Sequence, residues 1–135
     1  MSSSFPRTTK PNVPTTATTA QKALFTAVLV DNGPPVFGTN PPHALVGTST
    51  DIDIVLSETS GGTFDAELWW LYADAEVYAP DTVVGTVSVL ANGTARVVTA
   101  PSAATGLFVR VTNFAGGARA NAWAIGRGFL GRGWK

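Results

Sequence analysis

Few side chains in this sequence are able to do chemistry, and their spacing sets what chemistry that is. His43 is the sole histidine, it lies in the Pro-rich run NPPHALVG, and there is no cysteine. A zinc site needs several nitrogen or sulfur ligands, and a Ser-His-Asp triad needs a nucleophile on a sharp strand-to-helix turn. Neither a His-based metal centre nor nucleophilic catalysis is expected. Asp51 and Asp53 are spaced by two, as are Asp65 and Glu67, so on strands each pair projects to one face. If those strands lie side by side, the four carboxylates share a face. That placement suits an acidic sheet edge and also the carboxylate pair of a glycosidase. With Thr48 and Thr50 the first pair offers oxygen atoms to calcium, but no loop of the usual ligand spacing surrounds it. No catalytic residue, cofactor or metal site is therefore assigned.

The aromatic residues are the other candidates. Trp69 and Trp70 are neighbours on one strand and must point to opposite faces. Trp70 is in phase with Phe64, Ala66, Leu68 and Tyr72 and belongs to the core. Trp69 shares its face with Asp65, Glu67 and Leu71, where it is available to an interface. Trp123, Trp134 and Tyr78 complete the set. Exposed rings of this kind suit protein interfaces and sugar stacking alike.

The elements that position these residues read as strands. The chain has 135 residues, the size of one domain, with 44% hydrophobic and only 13% charged residues. That charged share is about half the usual one. Fourteen Gly and nine Pro supply many chain reversals and leave little room for helices. No stretch approaches the roughly 18 to 20 apolar residues of a membrane helix. The hydroxylated, Pro-rich start has no apolar core of a secretory signal, so a soluble protein made in the cytoplasm is expected.

Residues 1–20 carry nine Ser or Thr and three Pro with almost nothing apolar, which is the composition of an extended or disordered arm. Ala23 to Val30 is a nearly continuous apolar run stopped by Asp31-Asn32-Gly33-Pro34-Pro35, as for a strand buried on both faces. A short strand is expected around Ala44 to Thr48. Further strands are expected at Asp51 to Leu56, Phe64 to Tyr72, Val83 to Leu90 and Thr94 to Thr99. Asn92-Gly93 is a strong hairpin signal between the last two. From Gly106 to Gly128, Leu107, Val109 and Val111 alternate with Phe108, Arg110 and Thr112, and Ala120, Ala122 and Ala124 alternate with Arg119, Asn121, Trp123, Ile125 and Arg127. Ala115-Gly116-Gly117 between them again predicts a hairpin. The row of alanines admits close approach, either across a thin part of the core or at an intersubunit seam.

The fold class is thus all-β, a β-sandwich of jelly-roll or immunoglobulin-like type with about seven or eight short antiparallel strands. Residues 1–20 form the arm, 21–128 the sandwich, and 129–135 a Gly/aromatic/basic tail.

A formal net charge of zero hides strong segregation. Residues 1–30 hold three cations and no acid, residues 31–81 hold all nine acids and no Lys or Arg, and residues 82–135 hold six cations and no acid. Either acidic and basic strands pair within one subunit, or opposite patches meet between subunits. The balance argues against a nucleic-acid site. The candidate interface residues are Arg7, Lys10, Trp69, Arg110, Arg119, Trp123, Arg127, Phe129, Arg132 and Trp134.

The Ser/Thr/Pro arm, the cysteine-free β-rich body, the ending FVRVTNFAGGARANAWAIGRG and the Gly-aromatic-basic tail together resemble a bacteriophage virion structural protein, such as a head decoration (cement) protein or a neck or tail component. The resemblance implies a non-enzymatic protein located in the virion and made in the host cytoplasm. It also implies trimers or other homo-oligomers that clamp the major capsid or other virion proteins through extended termini, with no nucleic acid, membrane or cofactor. The alternative is a carbohydrate-binding or receptor-binding module that uses Trp69, Trp123 or Tyr78.

Overall fold

The computed structural model describes residues 19–46, 51–99, 101 and 103–127. Most of the arm, including Arg7 and Lys10, and all of the tail, including Phe129, Arg132 and Trp134, lie outside the described residues. Nine strands are present among those described: β1 (Thr19–Val28), β2 (Ala44–Leu45), β3 (Asp51–Glu58), β4 (Thr63–Tyr72), β5 (Val77–Pro80), β6 (Val87–Val89), β7 (Thr94–Thr99), β8 (Gly106–Ala115) and β9 (Ala120–Arg127).

They form two packed antiparallel sheets, ordered β1-β9-β3-β7 and β2-β8-β4-β5, with β6 also on β4. The pairing is nested. The first strand pairs with the last, the second with the last but one, β3 with β7, and β4 with β5 and β6. This is a long antiparallel ribbon folded over on itself, the jelly-roll topology, in which β5 and β6 are two collinear pieces of one edge.

Period-two alternation explains the core. Ile52, Ile54 and Leu56 from β3, Phe64, Ala66, Leu68 and Trp70 from β4, and Leu107, Val109 and Val111 from β8 fill the space between the sheets with Ala118, Ala120, Ala122 and Ala124. Trp70 is 1% exposed, and its indole N–H donates to Asp81 Oδ2 at 2.9 Å. The alanine row therefore faces the opposite sheet within the chain. It is not an intersubunit seam.

Neither expected hairpin forms. β8 and β9 lie in different sheets, and so do β6 and β7. The tight turns are real: Asn92, Gly116 and Gly117 have positive φ, and the Gly93 N–H donates to Leu90 C=O. They carry the chain from one sheet to the other. Residues inward-facing on both strands are compatible with a hairpin and with an arch, so alternation alone does not separate them. The run Ala23 to Val30 does contain a strand, but β1 is an edge strand. Leu29 and Val30 beyond its end are 56% and 68% exposed, which corrects the expectation of burial on both faces.

Candidate interaction surface

The two ends of the sandwich differ. At one end, three short connections cross between the sheets, at residues 59–62, 90–93 and 116–119. Glu58, 2% exposed, ties them together. Its Oε1 accepts the backbone N–H of Gly61 and Asn92, each at 2.8 Å. Its Oε2 accepts the backbone N–H of Ser60 and Arg119 and the Ser60 hydroxyl. Burial alone would raise this carboxyl's pKa, but the donors from Asn92, Arg119 and Ser60 outweigh it and hold it well below the usual range. Gly62 belongs to the same knot: a side chain there would start 2.3 Å from Ala115 O and 2.6 Å from Ala118 N.

At the opposite end β2 is joined to β3, and β7 to β8, from one sheet to the other. β9 ends at Arg127, which is paired with Thr19 at the start of β1 on one side and with Asp51 at the start of β3 on the other. The arm and the tail therefore join the body side by side. β4 also runs toward this end, finishing at Tyr72 in a short 3-10 turn, Ala73–Ala75.

The outer face of the β2-β8-β4-β5 sheet is partly covered by the connection from β1 to β2, residues 29–43. Phe108, Leu71 and Tyr78 form a small second core beneath it, with Trp69 packed against them. His43 stacks on Phe108 with ring centroids 4.2 Å apart. Side chains from this connection also replace a strand along the free edge of β8. The Val109 N–H donates to His43 Nδ1 at 3.0 Å, Asn32 Nδ2 donates to Val109 C=O, and the Val111 N–H donates to Asn32 Oδ1. An edge that would otherwise template another strand is thereby closed. Burial, and then the nearby Lys22 charge, lower the His43 pKa, in keeping with a neutral acceptor at Nδ1.

The candidate residues divide between surfaces. Trp69 and Arg110 share the outer face just described. Arg110 pairs with Asp31 at 3.1 Å and lies 3.6 Å from Glu67, the residue opposite it in β4. The Trp69 indole N–H donates to Glu67. Trp123 lies half-buried on the other outer face, beside Val55. On that same face Arg96 of β7 pairs with the buried Asp53 of β3. Arg119 offers its backbone to Glu58, and its exposed side chain has no partner among the described residues. Arg127 is placed only by its register, at the end opposite Glu58. The structure thus brings Trp69 and Arg110 together, puts Trp123 on the opposite face, and leaves Arg119 at the closed end.

β3 and β4 lie in different sheets, so Asp51 and Asp53 face away from Asp65 and Glu67. The four-carboxylate face does not exist. The Asp31 carboxyl, like that of Glu58, sits below its ordinary pKa, chiefly through its hydrogen bond from Arg110. Among the described residues no three His, Asp or Glu side chains are grouped to hold a metal ion. Tyr78, expected as a stacking ring, is 7% exposed and its hydroxyl donates to Asn40 C=O.

Sequence reasoning missed the apolar surface near the end opposite Glu58. Two clefts flank Phe37. One, of about 270 Å³, is lined by Phe37, Pro41, Pro42, Leu71 and Tyr78 among others. Its neighbour, of about 370 Å³, is lined by Pro35, Val36, Phe37, Glu76, Val77 and Tyr78. Another cleft, of about 390 Å³, opens between the sheet edges at Trp70, Tyr72, Asp81, Val83 and Thr99. The only signal in the sequence was the apolar pair Val36-Phe37 inside a Pro-rich loop. Comparison with protein-family models, with curated proteins and with solved structures gives no match to this chain.

Proposed function

We propose that this chain is a non-enzymatic structural protein of a phage particle, a decoration or cement protein that stabilises a capsid through subunit contacts. The observation that supports it most is the pairing of Thr19 with Arg127. The Ser/Thr/Pro arm and the Gly-aromatic-basic tail leave one end of a rigid body together, while Glu58 and its donors close the other end. Many weak contacts made by such termini add up, because each holds the partners near enough for the next. Jelly rolls serve as viral capsid and lectin domains, so the fold accommodates the reading.

The test is deletion of residues 1–18, which removes the arm and stops short of β1. The variant is expected to keep the thermal transition of the full chain and to lose incorporation into particles. A variant that unfolds, or one that incorporates like the full chain, overturns the assignment of the arm. Absence of the full chain from purified particles overturns the function. The sugar-binding alternative retains Trp123 as a half-exposed ring, and glycan-array binding abolished by Trp123→Ala in a folded protein would favour it.

A further inference from the structure

The geometry points to the paired clefts around Phe37 as the seat of the C-terminal segment, residues 128–135, of a second copy of this chain. Val36, Phe37 and Val77 are 58%, 42% and 44% exposed and lie together around the two clefts, which share Phe37 and Tyr78. A cluster of large apolar side chains left in water beside concave surface marks a binding site. Asp74 and Glu76 stand at this turn, and neither carboxylate has a side-chain partner among the described residues. The complementary occupant carries large apolar side chains, positive charge and no acid.

Residues 128–135, GFLGRGWK, have that chemistry: Phe129, Leu130 and Trp134 for the clefts, and Arg132 and Lys135 for the acidic rim. Glycines at 128, 131 and 133 let the backbone lie close to a surface. Fully extended, eight residues reach roughly 26 to 29 Å, enough to pass from the end of β9 onto a neighbouring subunit. The choice of a second copy rests on the assembly reading above. Because cleft and tail are different surfaces, the contact is head-to-tail, and it closes into a ring or continues as a filament according to the rotation between copies.

The experiment is sedimentation velocity on the full chain across the micromolar range, with Phe37→Asp and Trp134→Ala as variants. Phe37 lies outside both cores, and circular dichroism checks the folding of each variant. Each is expected to weaken self-association by about tenfold or more, as the loss of a central aromatic anchor does. Val83→Asp, at a residue 95% exposed and outside both clefts, is the control and leaves association unchanged. An equimolar mixture of the two weakened variants is expected to give dimers and nothing larger, since one supplies an intact cleft and the other an intact tail. A full chain that stays monomeric, association indifferent to both substitutions, or a mixture that stays monomeric would overturn the inference. Head-to-tail association by a chain absent from particles would leave the inference standing and remove the virion function. Normal incorporation of the Phe37→Asp variant into particles, with no loss of self-association, would do the reverse.

Discussion

The Glu58 carboxylate accepts the backbone N–H of Arg119 at 3.0 Å, joining the end of β3 to a turn 61 residues further along the chain. The same carboxylate holds Ser60, Gly61 and Asn92, so one acid joins the three short crossings at that end of the sandwich.

Loss of that acid is expected to lower stability at neutral pH, because each variant leaves buried N–H groups without a charged acceptor. The folded-state pKa is depressed, so the stabilisation is fully present above the unfolded value of about 4.3. It is lost as pH falls further, because the unfolded chain takes up the proton first. Urea titrations from neutral pH down to pH 3 check this. The wild type should lose stability steeply below about pH 5, while Glu58→Gln starts lower and falls less. Equal slopes in the two proteins would refute the assignment.

His43 has a depressed folded pKa as well, and its Nδ1 must stay unprotonated to accept from Val109. The charged group that acts on it is Lys22 on β1. The sign is the same as for Glu58. Stability is present above the unfolded value of about 6.5 and declines as pH drops through the folded value. Thermal scans between pH 7.5 and about pH 5 should show this slope in the wild type and not in His43→Gln. Hydrogen exchange at Val109, corrected for intrinsic rate, should accelerate over the same range.

Asn121, 8% exposed, ties three elements: its Oδ1 accepts the Ala27 N–H at 2.9 Å, and its Nδ2 donates to Ser57 C=O and Thr59 Oγ1. Ala27 has φ of 53°, so this bond holds β1 at its bulge. Asn121→Ala is expected to cost about 1 to 3 kcal/mol by chemical denaturation. Amide exchange should loosen first at Ala27, and uniform loosening across both sheets would contradict the local role.

Arg110 and Arg119 are expected to differ. Arg110→Ala breaks pairs with Asp31 and Glu67 and should cost up to about 1 kcal/mol, as exposed ion pairs do. Arg119→Ala removes an exposed side chain that has no partner among the described residues and should leave the denaturation midpoint unchanged, because its bond to Glu58 is made by the backbone. A cost for Arg119→Ala as large as that for Arg110→Ala would show that its side chain has a structural partner.

Much of the fold was legible in the residues. Alternation located β3, β4, β7, β8 and β9, and it sorted Trp70 from Trp69 correctly, because facing in or out of a strand is a local, period-two property. β5 was missed, since VYAP is four residues long and ends in proline, and the strand expected over Val83 to Leu90 shrank to Val87–Val89. The segregated charges are partly explained within the chain, since Arg96 and Arg110 meet acids on adjacent strands.

By itself the sequence determined an all-β chain with a row of alternating alanines, whose burial between the sheets the structure decided, tight turns at Asn92 and at Gly116-Gly117, and polar and Gly-rich ends. Only the tertiary structure decided that those turns are arches, that Asp53 and Asp65 lie on opposite faces, and that Glu58 gathers the crossings. A turn and an alternating strand are encoded in a few neighbouring residues. Which sheet a strand joins depends on contacts between residues such as Glu58 and Arg119, and no local pattern records those.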